Sequence, residues 1–244
     1  MKIAVLMMFR DEGDILHDCL ERWIELGVRN FYLIDNRSAD DSRIVADAFI
    51  AWNSQLDPEF SAYIEFECAT DWPGKRVINA LKEKAINDGC DWIFPADADE
   101  FLQLPEGYTL ESWIAQYPTM PAWGELPYLN ILPYGREYWQ EPQRKACGYI
   151  TNNMVISMGN HLIEGVAPIL GMGGAYYKHY PVRSYEQFKR KLTNYMIAFH
   201  QSPHQDHPHA QAYKVWAVEG ERYIQNRYNA LMNKDEDVNA PRWL

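Results

Sequence analysis

Three carboxylates fall within four residues at one point of the chain, Asp97-Ala98-Asp99-Glu100. An apolar run from Trp92 to Ala96 leads directly into them. Holding that much like charge beside a buried strand costs free energy, because each ionised carboxylate disfavours ionisation of the next. A divalent cation offsets this cost, and carboxylate oxygens suit Mg²⁺ or Mn²⁺. The pattern predicts a metal site at Asp97 and Asp99, with a solvated acidic turn as the alternative.

Two further polar groups follow apolar runs earlier in the chain. Arg10-Asp11-Glu12 follows the first run, and Asp35-Asn36-Arg37-Ser38 follows the second. Carboxylates and amides at neighbouring strand ends are suited to the hydrogen-bonding edge of a nucleobase. The second segment is equally typical of turns and helix caps, so both interpretations stay open.

Two cationic or imidazole-bearing segments add to these groups. Trp72-Pro-Gly-Lys-Arg76 opens a predicted helix, where backbone N–H groups and two cations suit a diphosphate. A Pro-Gly turn with surface cations is the alternative. In Lys178-His179-Tyr180 the histidine is a candidate third metal ligand, although a lone histidine is more often structural.

The second half of the chain contains carboxylates and imidazoles that are candidates for a general base. His161 and Glu164 stand close together in Gly159-Asn-His-Leu-Ile-Glu-Gly165. Three other glutamates compete for the role, and the residues alone do not decide among them: Glu125, Glu137 and Glu141.

Alternating strand and helix patterns position these groups in the first half of the chain. The order β-α-β-α-β-α-β indicates an α/β fold, with a mainly parallel sheet and helices on both faces. Ligands of such sheets bind beyond the carboxyl ends of strands, where the polar groups stand. The predicted strands are 2–8, 31–34, 63–68 and 92–96, and the predicted helices are 14–26, one capped by Ser38, and 75–87.

The second half of the chain differs from the first in amino-acid composition. Residues 118–183 are rich in Pro, Gly and Tyr, which indicates a few more strands joined by long loops. Helical patterning returns at 185–200, with Ser184 as cap and Gln187 three residues later, and again at 219–232. Residues 200–209 hold four histidines and two prolines and are predicted to form a loop.

Composition narrows the classes of function. The 244 residues suit one large α/β domain, and a net charge of −11 disfavours nucleic acid or anionic membrane as a partner. Four widely spaced cysteines favour a reducing compartment. The first apolar run is cut short by charged residues, so we expect neither a signal peptide nor a transmembrane segment, and a cytoplasmic protein that works at a membrane through partners.

Taken in order, these segments resemble the family 2-like glycosyltransferases of the GT-A fold, in the branch that is similar to family 92. The resemblance covers about residues 1 to 195. It rests on Met8-Phe-Arg-Asp-Glu12, Tyr32-Leu-Ile-Asp-Asn-Arg-Ser38, Asp91-Trp-Ile-Phe-Pro-Ala-Asp-Ala-Asp-Glu-Phe101, Gly159-Asn-His161, and His179-Tyr-Pro-Val-Arg-Ser184 with Phe188 and Lys191.

The resemblance implies a nucleotide-diphosphate-sugar donor, with a UDP-sugar expected. Glu12 and Asp35 would contact the base, and Arg76 the diphosphate or base region. Arg10 and Lys191 would also contact the donor. The acceptor would be a carbohydrate, and the transferred group a hexose or similar sugar, during glycan or surface polysaccharide synthesis.

The resemblance also implies a Mn²⁺ or Mg²⁺ cofactor and an inverting, in-line displacement. Asp97 would touch the ribose side of the donor, Asp99 would bind the metal, and His179 would complete the metal shell. The Glu-Asp pair that often marks the base in related enzymes is missing between Asp99 and His179. That departure leaves Glu164 or His161 as the predicted base.

We therefore predict a single glycosyltransferase domain over residues 1–244. Residues 1–101 form its nucleotide-sugar half, 102–200 its acceptor and metal-completing half, and 201–244 a C-terminal loop and helix. A non-catalytic carbohydrate- or nucleotide-binding module is the main alternative. A sugar nucleotidyltransferase would need a more basic, Gly-rich first turn. A phosphatase of the haloacid dehalogenase type would carry its acidic pair after the first strand.

Overall fold

A computed structural model describes residues 1–67, 73–117, 121–165, 171–201 and 208–232. Seven helices lie within this described part: α1 (Leu16–Glu25), α2 (Ser42–Leu56), α3 (Gly74–Asn87), α4 (Leu110–Ile114), α5 (Tyr185–Gln201), α6 (Pro208–Glu219) and α7 (Glu221–Met232). The strands are β1 (Ile3–Phe9), β2 (Asn30–Asp35), β3 (Ser61–Phe66), β4 (Trp92–Ala96), β5 (Glu100–Gln103), β6 (Ala122–Leu132), β7 (Arg136–Tyr149), β8 (Val155–Ile156), β9 (Ile163–Glu164) and β10 (Tyr176–His179).

Eight of these strands form one sheet in the order β3-β2-β1-β4-β7-β6-β10-β5. Strands β3, β2, β1 and β4 run parallel, as βαβ crossovers require. Beyond β4 the direction changes, since β7 pairs with β4 antiparallel and β10 pairs with β5 antiparallel. The predicted α/β class is confirmed, and the parallel arrangement belongs to the first half of the chain.

Strand β1 shows why helices cover both faces of the parallel half. Its side chains alternate between the two faces, as the two-residue period of a strand requires. Val5, Met7 and Phe9 pack in one core with residues of α1 and α2, including Leu20 and Trp23. The alternate residues Ala4 and Leu6 pack in a second core with α3 through Val77, Ile78 and Leu81.

The close approach of β7 to its other neighbour, β6, depends on a glycine. Gly148 pairs with Ile93 and has a φ of +150°. A Cβ on Gly148 would come 2.3 Å from the backbone oxygen of Ala122 and 2.7 Å from the Cα of Trp123. Any other residue would push these backbones apart, so Gly148 allows the close approach.

The prediction that Ser38 caps the second helix is wrong. The helix begins at Ser42, and the residue before it is Asp41. The Ser38 hydroxyl instead accepts a hydrogen bond from the Asp11 N–H, and the Ser38 N–H donates to Asp35. The serine therefore ties two strand ends together, an arrangement that local helix patterning does not reveal.

The predicted cap of α5 is confirmed. The Ser184 hydroxyl accepts from the Gln187 N–H at 3.1 Å, and the Gln187 side chain accepts from the Arg183 N–H at 3.1 Å. Helix α6 was not predicted, because its residues follow the His- and Pro-rich segment that suggested a loop. Residues 202–207 of that segment lie outside the described part.

The chain divides into two compact units. Within the described ranges, the first consists of residues 1–67, 73–129 and 139–179, and the second of 130–138 and 180–232. The second unit has its own apolar core, formed by Leu132, Val182 and residues of α5 to α7 such as Met196 and Ile224. Across the described residues, no helix is both long and apolar enough to cross a membrane.

Candidate functional site

The acidic segment lies in the turn that joins β4 to β5, in the first unit. Asp99 and Glu100 are buried, whereas the Asp97 side chain is 45% exposed. The Glu100 carboxylate accepts a hydrogen bond from the Asp97 N–H at 3.1 Å, which closes the turn. Burial raises the pKa of Glu100 to about 7. We call Asp97, Asp99 and Glu100 the acid cluster.

A buried lysine from β7 supplies positive charge to the acid cluster. Lys145 Nζ lies 2.6 Å from Asp97 Oδ2 and 3.3 Å from Glu100 Oε1. The lysine side chain is 1% exposed, and its carboxylate neighbours raise its pKa against the effect of burial. Continuing the antiparallel register of Gly148 with Ile93 places Lys145 beside Ala96, next to Asp97. The pairing of β7 with β4 therefore brings Lys145 into contact with Asp97.

The turn at residues 157–161 completes the environment of Asp97. The Gly159 carbonyl accepts from Lys145 Nζ at 3.1 Å, and Asn160 Nδ2 donates to Asp97 Oδ1 at 3.3 Å. Both Gly159 and Asn160 have positive φ, +78° and +63°. Each oxygen of the Asp97 carboxylate thus has a partner that comes from a distant part of the sequence.

The predicted metal ligands Asp99 and His179 are brought together by the pairing of β5 with β10. His179 is in register with Glu100, and its Nε2 lies 3.6 Å from Asp99 Oδ2. A carboxylate and an imidazole suit Mn²⁺ or a similar cation in chemical type. Over the residues that the structure describes, no three His, Cys, Asp or Glu side chains converge as a metal-binding group. Asp99 and His179 thus fit as two ligands, while Oδ2 of Asp97 contacts Lys145.

Tyr128 on β6 packs against both histidines of the site. Its ring centroid lies 5.4 Å from that of His179 and 6.3 Å from that of His161. The tyrosine is buried, and burial raises the pKa of its phenol well above the usual value. The neutral phenol therefore contacts both imidazole rings, and its hydroxyl lies 3.5 Å from His161 Nδ1.

His161 has a defined tautomer. Its Nδ1 lies 2.8 Å from the Arg144 carbonyl, which can only accept, so Nδ1 carries the proton. In the neutral ring the lone pair is then on Nε2. Burial, and then Lys145, lower the pKa of His161, so the uncharged ring is favoured. These are the properties of an imidazole that can accept a proton.

Glu164 is placed differently. It lies on β9, and both of its carboxylate oxygens accept from Lys75 Nζ, at 2.7 and 2.8 Å. Among the competing glutamates, Glu125 is half-buried on β6 and Glu137 is exposed on β7 in the second unit. The side chain of Glu141 lies outside the described part.

The ends of β1 and β2 form a second group of acids, which we call the turn cluster: Asp11, Glu12, Asp35 and Asp40, with Ser38 and Ser42. Asp35 accepts from the Ser38 N–H at 2.8 Å, and Asp11 accepts from the Ala39 N–H at 2.6 Å. The Glu12 N–H donates to the Ser42 hydroxyl at 2.8 Å. Glu12 and Asp35, both predicted to contact a base, are buried in this cluster.

The predicted cationic residues occupy three places. Arg10 Nε lies 3.9 Å from Asp11 in the turn cluster. Arg76 on α3 donates to Glu67 at 2.7 Å, and the Glu67 N–H donates to the Asp35 carbonyl, so Arg76 lies near the ends of β2 and β3. Lys191 lies on α5, in the second unit. Trp72, from the segment before Arg76, lies outside the described residues.

Sequence reasoning did not identify Lys145, Tyr128 or the role of Asn160. Lys145 is one of 23 Lys and Arg residues, and nothing in its neighbourhood marks it as buried. The Gly-Asn pair before His161 could have predicted a tight turn, because both residue types favour positive φ. The contacts of that turn with Lys145 and Asp97 depend on the pairing of β7 with β4, which local sequence does not specify.

Comparison with known proteins relates the chain to glycosyltransferases. No family model matches it. A glycosyltransferase family 92 protein from Oryza sativa subsp. japonica is 23% identical over 221 residues, 81% of this chain and 36% of the relative. A family 92 protein from Ricinus communis is 25% identical over 116 residues, 45% of this chain and 18% of the relative. The resemblance to family 92 is thus confirmed, and the chain spans about a third or less of these relatives.

Two solved structures also show similarity. A mannosyltransferase from Pyrobaculum calidifontis, in complex with GDP-Man and Mn²⁺, aligns with 98% of this chain and 77% of its own, with a TM-score of 0.43 and 10% identity. A mycobacterial protein aligns with 54% of this chain and 41% of its own, with a TM-score of 0.33 and 18% identity. At these scores neither structure establishes the fold or the function of this chain.

Proposed function

We propose that this protein transfers a sugar from a nucleotide-diphosphate sugar to a carbohydrate acceptor. One observation carries the proposal: Asp99 of the acid cluster lies beside His179 at the carboxyl end of β4. Ligands of parallel sheets bind at that edge. The sequence similarity to family 92 glycosyltransferases supports the same class of reaction.

The turn cluster is the proposed site of the nucleotide base. Glu12 and Asp35 are buried there, together with Asn36. In the described part of the chain, Asn36 Oδ1 is buried without a hydrogen-bond partner. A donor group on a base would satisfy it, which is favourable because an unpaired buried acceptor is costly. Arg10 follows β1, and Arg76 lies near the ends of β2 and β3, so both are proposed to contact the diphosphate.

Asp99 and His179 are the proposed ligands of a Mn²⁺ or Mg²⁺ ion. When bound, such an ion supplies a Lewis acid for the departing diphosphate. The cluster holds three carboxyl groups against the single ammonium group of Lys145, and a divalent cation would offset the excess of negative charge. Asp97, with 45% of its side chain exposed, is proposed to contact the donor.

His161 is proposed as the general base that removes a proton from the attacking acceptor hydroxyl. Its Nδ1–H is fixed on the Arg144 carbonyl, which leaves Nε2 to accept. Glu164 is the weaker candidate, because Lys75 binds both of its oxygens. A UDP-hexose donor, an inverting displacement and a role in glycan or surface polysaccharide synthesis complete the proposal.

Thermal stability against a panel of nucleotides and nucleotide sugars, with and without Mn²⁺, tests this function. A ligand that binds the folded state at 100 times its Kd stabilises it by about 2.7 kcal/mol. We expect one nucleoside diphosphate and its sugar to raise Tm only when Mn²⁺ is present. Release of that diphosphate upon addition of acceptor oligosaccharides would establish transfer. Sugar binding without any nucleotide effect would instead identify a binding module.

A further inference from the structure

The buried Lys145 contacts the acid cluster in a way that restricts what Asp97 can bind. Its ammonium group touches Asp97 Oδ2, Glu100 Oε1 and the Gly159 carbonyl. Three acceptors match the three N–H donors of a lysine ammonium. The side chain is 1% exposed and therefore held in place, so this cation is a permanent part of the cluster.

Both oxygens of Asp97 are consequently engaged. Oδ2 faces Lys145, and Oδ1 accepts from Asn160 Nδ2 at 3.3 Å. Asn160 is itself buried and held in the turn with Gly159. An ammonium ion in direct contact with a carboxylate competes with any second cation for the same oxygen, because the two cations repel each other.

Asp99 lies two residues further on, beside a different partner. Its Oδ2 lies 3.6 Å from His179 Nε2, on the strand pair β5–β10. The two aspartates of one motif thus have chemically different neighbours, a fixed cation for Asp97 and an imidazole for Asp99. Only the second pair is of the kind that binds a transition-metal ion.

We infer that Lys145 is a positioning residue that keeps Asp97 out of the metal shell and turns it towards the donor. This inference rests on the proposed function and adds to it the residue that keeps the roles of the two aspartates apart. Without the lysine, Asp97 would be released to bind the metal ion together with Asp99. The metal would then be held more tightly, and the donor would lose an oriented contact.

Mn²⁺ titration, followed by the electron paramagnetic resonance signal of free Mn²⁺, tests the inference on the whole chain without nucleotide. We expect Lys145→Met to bind Mn²⁺ about tenfold more tightly than the parent, since a neighbouring positive charge is removed. Lys145→Arg keeps the charge and should stay within about threefold of the parent. Lys84→Met, which changes an exposed lysine paired with Asp88, is the matched control.

The direction of the change in Mn²⁺ affinity distinguishes a positioning role of Lys145 from a merely structural one. A disrupted site binds Mn²⁺ more weakly, so unchanged or weaker binding by a folded Lys145→Met variant overturns the inference. Circular dichroism and Tm establish that the variant is folded. In the same variant, nucleotide-diphosphate affinity at saturating Mn²⁺ should fall about tenfold, because Asp97 is no longer oriented.

A second pair of variants keeps the test decisive if Lys145→Met does not fold. Asp97→Asn should weaken Mn²⁺ binding by no more than about tenfold, because only a neighbouring charge is lost, whereas Asp99→Asn should abolish binding. Equal losses in both variants would overturn the inference alone and leave the proposed transferase standing. A parent that binds a nucleotide but no Mn²⁺ would overturn the inference alone, and a parent that binds neither would overturn the inference and the proposed function together.

Discussion

The acid cluster and the turn cluster both lie at carboxyl ends of parallel strands, yet their carboxylates are held by different partners. In the turn cluster, Asp35 and Asp11 accept backbone N–H groups from residues that follow β2. In the acid cluster, Asp97 is held by Lys145 and Asn160, which lie 48 and 63 residues away in the chain. The carboxylates of the turn cluster are held mainly by backbone N–H dipoles, whereas those of the acid cluster contact a buried cation brought in by the sheet.

The difference teaches what each cluster is suited to do. Neutral donors fix the orientation of a carboxylate without adding a full charge to its surroundings, which suits recognition of a polar edge. A buried lysine sets the local electrostatic field, which suits a site where charge develops in a reaction. We expect substitutions in the acid cluster to affect turnover, and those in the turn cluster to affect affinity and stability.

The largest effect is expected at Asp99. Asp99→Asn should lower turnover about 1,000-fold, or about 4 kcal/mol, because it removes a charged ligand from the proposed metal. Diphosphate release with the donor found in the thermal panel is the measurement. Asp47→Asn, an exposed carboxylate on α2, is the control. Retention of more than a tenth of parent turnover in Asp99→Asn would contradict the proposed role.

A smaller effect is expected at the proposed base. His161→Ala should lower kcat about 100-fold, while Glu164→Gln should change it less than about threefold. The pKa of His161 is lowered, so its ring stays neutral as pH falls below the ordinary value of 6.5. The parent should therefore lose activity only below that pH, when the ring gains its proton. The reverse ranking of the two variants would assign the base to Glu164.

The turn that braces the acid cluster should be sensitive to added volume. Gly159 has a φ of +78°, and a Cβ there would come 2.8 Å from the His161 ring. Gly165 has a nearly identical φ of +79° and open space around it. Gly159→Ala should lower the free energy of unfolding by about 2 kcal/mol and Gly165→Ala by about 1 kcal/mol. Equal losses in chemical denaturation would show that the contact with His161 is unimportant.

The smallest effect on turnover is expected in the turn cluster. Ser42→Ala removes a hydroxyl that accepts from the Glu12 N–H and donates to Asp40. The free energy of unfolding should fall by about 2 kcal/mol, since two hydrogen bonds of about 1 kcal/mol each are lost. Donor affinity should weaken a few-fold with kcat unchanged. A large loss of kcat in this variant would remove the proposed distinction between the clusters.

The sequence by itself determined the parallel half of the fold. Periodic apolar patterns located β1 to β4 and α1 to α3 to within a few residues, because each element buries one or two faces whose spacing is set by its own geometry. The same patterns placed the polar groups at strand ends. The prediction of one domain over the whole chain, and the assigned roles of the site residues, stay predictions.

Only the tertiary structure decided which side chains meet. Asp99 and His179 were both predicted to bind metal, but their proximity depends on the register of β5 with β10. The pairing of β7 with β4 buried Lys145 against Asp97, and no local pattern specified it. Antiparallel pairing between distant strands is fixed by packing across the sheet, and that information is spread over the whole chain.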